Sequence, residues 1–362
     1  MKKKKIDIKY LKNFFKGKKI VVTGHTGFKG SWLSLTLKNL GAKVYGYSLK
    51  ESTKPSIFKI LKLRNKINST YGDVRNKKKF EAFLNKVKPD LLFHLAAQSL
   101  VKDSYGKPYE TFSTNIIGTL NVLEYARFSK SLKSVVIITS DKCYKNKEFK
   151  NGYSEKDELG GDDPYSSSKA SAENIFHAYN KSFFNSKKNI GIATARAGNV
   201  IGGGDWSNDR IIPDCVRSIT DNTKLKIRNP LAIRPWQHVM EPISGYIKLA
   251  IKLFENKKKF SDSWNFGPDL GKIYTVQNVT NIFFNELGIN KKIIHKKNSS
   301  FKETVTLQLN CRKSKKLLDW NTIWNTIESI KKTSNWYKIY LEDGNMIEYT
   351  NKQIDDYLSN GI

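Results

Sequence analysis

Gly24-His25-Thr26-Gly27-Phe28-Lys29-Gly30-Ser31-Trp32 (GHTGFKGSW) follows the apolar run Ile20-Val21-Val22-Thr23 and leads into apolar positions at Trp32, Leu33, Leu35, Leu37 and Leu40. The apolar run reads as a buried strand, and Ser31–Leu40 as an amphipathic helix. Three glycines at a spacing of three stand at the junction. Gly24 permits the tight turn, Gly27 lets the backbone approach a pyrophosphate, and Gly30 lets helix and strand pack closely. The helix start adds N–H donors and a positive dipole end. The stretch reads as a dinucleotide-binding turn.

The chain around it alternates. Strands are expected at Ile20–Thr23, Ala42–Tyr47, Asn68–Asp73, Leu91–Ala96, Ser134–Ser140 and Ile190–Arg196. Helices are expected at Lys77–Val87, Thr111–Phe128 and Pro164–Phe184. This alternation implies an α/β fold: a Rossmann-type, doubly wound parallel sheet covered on both faces. After Arg196 the texture changes. A glycine-rich loop, Gly198–Trp206, and a helix at Arg210–Asp221 open a smaller C-terminal α/β lobe. Residues 1–197 are expected to form the dinucleotide domain and 198–362 a substrate lobe, with roughly 235–260 returning to the first.

Composition narrows the function. Of 362 residues, 64 are Lys or Arg against 33 Asp or Glu, a formal net charge of +31. Only nine of the basic residues are arginine, and the lysines are spread along the chain, with small clusters at 2–5, 77–79 and 257–259. That is a solvated lysine-rich surface rather than a nucleic-acid face, which would cluster its charge around a recognition motif. Cys143, Cys215 and Cys311 have no metal-ligand spacing, and no metal is expected. The basic start lacks the apolar segment of a signal peptide, and no run is long enough to span a bilayer. A cytoplasmic protein without membrane or nucleic-acid partners is expected.

The chemistry lies in Tyr165-Ser-Ser-Ser-Lys169, where i and i+4 place a phenol and an amine on one helical face. A phenol with pKa about 10 is a poor base at neutral pH. A neighbouring ammonium and a nicotinamide cation lower it. Lys169 also reaches the cofactor ribose. Ser140-Asp141-Lys142 stands at the carboxyl end of the fifth strand, where open α/β sheets bind ligands. Ser140 can hydrogen-bond the oxygen being oxidised. Asp141 and Lys142 add a carboxyl and an amine that simple alcohol oxidation does not need. NAD and NADP are not separated by Tyr47-Ser-Leu-Lys-Glu51, which carries neither clean signature. Asp73 is placed for the adenine.

These sets resemble the extended short-chain dehydrogenase/reductase family, and within it the nucleotide-sugar 4,6-dehydratases. The similarity runs through TGHTGFKG (Thr23–Gly30), GDVR (Gly72–Arg75), HLAAQ (His94–Gln98), Asn115, TSDKCY (Thr139–Tyr144), DPYSSSK (Asp163–Lys169), ARAGNVIGGGDW (Ala195–Trp206), RIIPD (Arg210–Asp214), RPWQHVMEP (Arg234–Pro242) and WNFGP (Trp264–Pro268). It is closest to the members that act on CDP-glucose, which share Lys142 where other members carry Glu. The resemblance implies NAD+ as cofactor and a nucleotide sugar, CDP-glucose, as substrate. A hydride would pass from C4 of the hexose to NAD+ while Tyr165 takes the 4-hydroxyl proton. Water would leave across C5 and C6, and the hydride would return to C6. Asp141 is then the acid for the leaving hydroxyl. Lys142 is either the C5 base or an enolate stabiliser.

The resemblance further implies cofactor contacts at Gly24, His25, Gly27, Phe28, Gly30, Asp73, Val74, Leu95, Ala96, Ala97, Asn115, Tyr165 and Lys169, and substrate contacts at Gln98, Asn199, Arg210, Arg234 and His238. It implies a homodimer or homotetramer built on helices such as Thr111–Phe128 and Pro164–Phe184, and a place in deoxysugar and surface-polysaccharide (O-antigen) synthesis. A 4-epimerase needs no acid–base pair for water loss, and a non-catalytic NAD sensor has no need of Tyr165 and Lys169.

Overall fold

A computed structural model describes residues 6–184, 189–271, 273–295 and 306–362; the lysine cluster at 2–5 lies outside them. Seven parallel strands form the central sheet: β1 (Lys19–Thr23), β2 (Lys43–Ser48), β3 (Asn68–Tyr71), β4 (Leu91–His94), β5 (Ser134–Ile138), β6 (Gly191–Ala197) and β7 (Ser263–Phe266). Their order is β7-β6-β5-β4-β1-β2-β3. Side chains alternate between two buried faces. Ile20 and Val22 enter one apolar cluster while Val21 enters the other, and Val136 and Val135 divide in the same way.

The helices of eight or more residues are α1 (Ile8–Phe15), α2 (Phe28–Asn39), α3 (Lys77–Val87), α4 (Gly118–Phe128), α5 (Pro164–Tyr179), α6 (Ile211–Thr220), α7 (Met240–Glu255), α8 (Val276–Leu287), α9 (Thr326–Leu341) and α10 (Met346–Ser359). Trp32 and Leu33 of α2 and Ile243 and Ile247 of α7 pack in the first cluster. Phe80 of α3, Val122 of α4 and Phe176 of α5 pack in the second. This is the doubly wound Rossmann-type arrangement. The strand order reverses beside β1, so the loops after β1 and β4 diverge and leave a crevice at the carboxyl edge.

Beyond β6 the chain builds two small parallel pairs, Val200–Ile201 with Gln237–His238 and Leu225–Ile227 with Ile293–His295. It then returns: α7 packs on β5 and β6, and β7 pairs with β6. The returning segment therefore runs to residue 266.

Two expected helices differ. The first begins at Phe28, three residues early, because Gly27 is its N-cap. It is also buried from Gly30 to Leu37 rather than amphipathic. The loop at Gly203 accepts the Trp32 indole N–H at 2.9 Å, and Met240 of α7 contacts Thr36. Both faces are thereby covered. The hydroxyls of Ser31 and Thr36 are satisfied by the carbonyls of His25 and Trp32. The helix expected over Thr111–Phe128 is a short helix, Pro108–Phe112, then a π-turn, Ser113–Ile117, then α4. The wide turn carries Asn115 inward.

Candidate active site

The crevice is floored by the opening turn. Gly24 has φ 72°, and a Cβ there would lie 2.8 Å from the Ala96 nitrogen; at Gly30 it would lie 2.1 Å from the Gly24 carbonyl oxygen. Both positions therefore require glycine. Gly27 has nothing closer than 3.4 Å and opens to the crevice. No side chain caps the first turn of α2, so its free N–H groups face the same space. The walls are Phe28 and Lys29; Asp73 and Val74 after β3; Leu95, Ala96 and Ala97 after β4; Thr139 after β5; and Tyr165, Lys169 and Arg210. Gly24, Gly27 and Gly30 line it as well. A dinucleotide fits such a lining: glycine-opened backbone and helix N–H groups for a diphosphate, and an amine and a phenol at the far end.

Asp73 does not cap the next helix, whose N-cap is Asn76. It forms a two-pronged pair with Arg75, whose guanidinium holds the carboxyl below its ordinary range. At the end of β2, Ser48, Lys50, Ser52 and Thr53 line the crevice, while Glu51 accepts from the Tyr71 hydroxyl.

Tyr165 sits one residue inside α5, which starts at Pro164 with Asp163 as N-cap. Burial pushes its phenol up to about 12, and contact with Ser140 and the charge of Arg210 pull the other way. Lys169 donates to the Ile138 carbonyl at 3.3 Å, and burial brings its ammonium down to about 8 against the pull of Glu173. Ser140, Asp141 and Lys142 follow β5 directly. Ser140 donates to Asp141 Oδ1 at 2.9 Å, and Lys142 Nζ stands 3.6 Å from that oxygen. Asp141 is fully buried, and its Oδ2 has no hydrogen-bond partner among the described residues. Gly198 makes room for it, since a Cβ there would lie 2.0 Å from Oδ2.

Arg210, at the start of α6, donates to Asp205 at 2.9 Å, which raises its pKa, and it reaches the crevice. The other substrate positions and two of the cofactor positions do not line it. His25 turns inward against Phe58, shares a hydrogen bond with Ser69 at 2.7 Å, and is driven down to about 4 by burial. Asn115 spends its amide on Gln98 and on Ser168, so it braces the segment after β4 against α5. Gln98 aims its amide nitrogen at the Leu100 carbonyl. Asn199 occupies a left-handed bend at φ 32° beside Gly198. Arg234 donates to the Ile233 carbonyl and lines a separate concavity with Trp236, Pro268 and Tyr274. His238 is fully buried between Trp32 and Trp324, accepts from the Met240 N–H, and is neutral, with its pKa down to about 3. Buried polar atoms without a hydrogen-bond partner among the described residues remain on four of them: His25 Nδ1, Gln98 Oε1, Asn199 Oδ1 and His238 Nε2.

Among the crevice residues that escaped the sequence reading is a lysine. Lys29 lines the crevice without a hydrogen-bond partner among the described residues, and burial together with Arg210 and Lys169 lowers its ammonium to about 7. The signal was in the quoted stretch: Gly30 must face the strand, so the residue before it faces the ligand side.

The comparisons agree with this geometry. The model of the GDP-mannose 4,6 dehydratase family matches residues 21–340. The CDP-glucose 4,6-dehydratase of Salmonella typhimurium is 44% identical over 352 residues, covering 96% of this chain and 98% of that protein. Among solved structures, dTDP-glucose 4,6-dehydratase from Bacillus anthracis, in complex with NAD, superposes with TM-score 0.73 at 22% identity, over 91% of this chain and all of that one. UDP-glucose 4-epimerase from Thermotoga maritima gives 0.78 at 20% identity, over 89% and 99%. A doubly wound sheet, a glycine turn at its switch point and a Tyr-x-x-x-Lys helix beside it are accounted for together: the chain belongs to the GDP-mannose 4,6 dehydratase family.

Proposed function

We propose that the chain is an NAD-dependent hydro-lyase that converts CDP-D-glucose to CDP-4-dehydro-6-deoxy-D-glucose and water. The observation that carries the reaction is that Ser140, hydrogen-bonded to Asp141 with Lys142 beside it, also contacts Tyr165, which lines the crevice together with Lys169. The identity of 44% along nearly the whole of the Salmonella enzyme supports CDP-glucose as the substrate.

Bound NAD+ supplies the acceptor and later the donor of one hydride, together with a cationic ring near Tyr165. The backbone around Gly24, Gly27 and α2 holds its diphosphate, and Lys169 its ribose. Tyr165 takes the 4-hydroxyl proton while Ser140 holds that oxygen. Once C4 is a ketone, the C5 proton is acidic. Asp141 gives a proton to the departing 6-hydroxyl; the unpartnered Oδ2 is the oxygen free to carry it. Lys142, whose Nζ stands 3.6 Å from Asp141, takes the C5 proton, and the ammonium so formed stabilises the enolate. Arg210 binds the substrate diphosphate. Residues 198–362, apart from the returning segment, form the lobe that holds the nucleotide.

The helices beside this site also suggest a homodimer. Tyr109 is 85% exposed and Phe128 73%, with Ile117 and Phe183 also outward. Arg127 lies over both Phe128 and Phe183, so the apolar groups at the ends of α4 and α5 are joined.

The test is to incubate the protein with NAD+ and, separately, the CDP-, dTDP-, GDP- and UDP-hexoses, and to weigh the products. Loss of one water from CDP-glucose, with no net NADH, is expected. Water loss from another nucleotide sugar alone would discard cytidine and keep the chemistry. No mass change with any of them would discard the dehydratase reading.

A further inference from the structure

Glu173 and Arg196 form a fully buried ion pair at 2.6 Å, and neither residue lines the crevice. The carboxylate also receives the hydroxyls of Thr139, Thr194 at 2.8 Å and Ser263 at 2.9 Å. The guanidinium donates to the Tyr144 hydroxyl at 2.7 Å, and its carbon lies 4.9 Å from that ring's centroid. Tyr144 in turn donates to Asn265. Thr139 and Tyr144 are the residues on either side of Ser140-Asp141-Lys142-Cys143. Both ends of the catalytic loop are thus fastened to one ion pair. Glu173 also follows Tyr165 and Lys169 at steps of four, on the same face of α5.

We propose that the Glu173–Arg196 pair is a positioning device for the reaction, fixing the Ser140–Lys142 loop against Tyr165 with its carboxylate one helical turn from Lys169. A fold needing only cohesion would gain more from apolar residues here, since burying two charges costs desolvation that the pair barely recovers. The carboxylate collects the loop by hydrogen bonds from Thr139 on one side, and the guanidinium by Tyr144 on the other. Lys169 is faced by Glu173 on its own helix, by Cys143 from the loop, by Lys29 from α2 and by His94 from β4. Glu173 is the carboxylate of that set, and it raises the proton affinity that burial lowers.

The inference rests on the dehydratase reading, which wild-type turnover of CDP-glucose tests first. Removing one charge alone leaves the other buried and unpaired, and such a variant can fail to fold. The informative variant is therefore Glu173→Gln with Arg196→Met, compared with wild type. We expect KM for CDP-glucose to stay within about twofold while kcat falls by about 10². The alkaline limb of kcat should move toward acid by about one pH unit, because Lys169 loses its proton sooner. Without cofactor, amide hydrogen exchange over residues 139–145 should quicken about tenfold, with exchange over β1 and β4 unchanged. A folded double variant with wild-type kcat, pH limb and loop exchange would reduce the pair to a structural one and overturn the proposal. Equal quickening over the whole sheet would do the same.

Discussion

Tyr165 shows how burial and charge compete at one atom. Its phenol stands at about 12 in the chain alone, and Lys169, one turn on, has itself been brought down to about 8. Burial thus opposes the phenolate, which a cationic ring beside it would favour. Replacing Tyr165 by Phe should abolish conversion of CDP-glucose, by at least about 10³-fold, because it removes the hydroxyl proposed to take the proton. NAD+ affinity, read by calorimetry, should stay within about twofold. Normal turnover by that variant would remove Tyr165 from the mechanism. The spacing of Tyr165 and Lys169, and the glycines at 24, 27 and 30, were legible because local geometry alone fixes which way they face. His25 and His238 were not. Both look like ligands in a line of sequence, yet each is enclosed by aromatic rings from distant segments. Glu173 was invisible for the opposite reason: its partners come from the end of β5, from β6 and from the start of β7, far apart in the chain.

Among the elements, α7 carries a second buried carboxylate with a different role. Glu241 accepts from the Ile323 and Trp324 N–H groups and from the Tyr357 hydroxyl, tying α7 to the turn before α9 and to α10. Burial raises its pKa from 4.5 to about 7. The folded chain therefore holds a proton between those values that the unfolded chain releases. The associated stability is complete below about pH 4.5 and is lost as pH rises through 7. Glu241→Gln keeps an acceptor and removes the charge. It should raise Tm at pH 8 while leaving it nearly unchanged at pH 4.5, a difference of at most about 3 kcal/mol. An equal effect at both pH values would show that Glu241 does not titrate across this range. The pattern of elements themselves was readable up to β6, where strands and helices alternate cleanly. It failed at α2, buried by loops no local pattern announces, and at 111–128, where the inward demand of Asn115 opens a π-turn inside a convincing helical stretch.

At the scale of the molecule, the exposed aromatic groups at the ends of α4 and α5 should be covered by a second copy. Wild-type protein should sediment at about twice the 41.5 kDa chain mass, and Tyr109→Glu with Phe128→Glu should sediment as single chains. A wild-type monomer at micromolar concentration would dismiss the dimer. The return of the chain to its first sheet has a further consequence, in time rather than in space. Every catalytic side chain has been made once Lys169 is made, yet β6 keeps a bare edge until Ser263–Phe266 arrives, and Glu173 waits as long for Ser263. A ribosome must add almost a hundred more residues before that edge is closed. The half of the chain proposed to hold the chemistry therefore leaves the ribosome with an open sheet edge, and a nascent chain halted near residue 200 should be prone to aggregate.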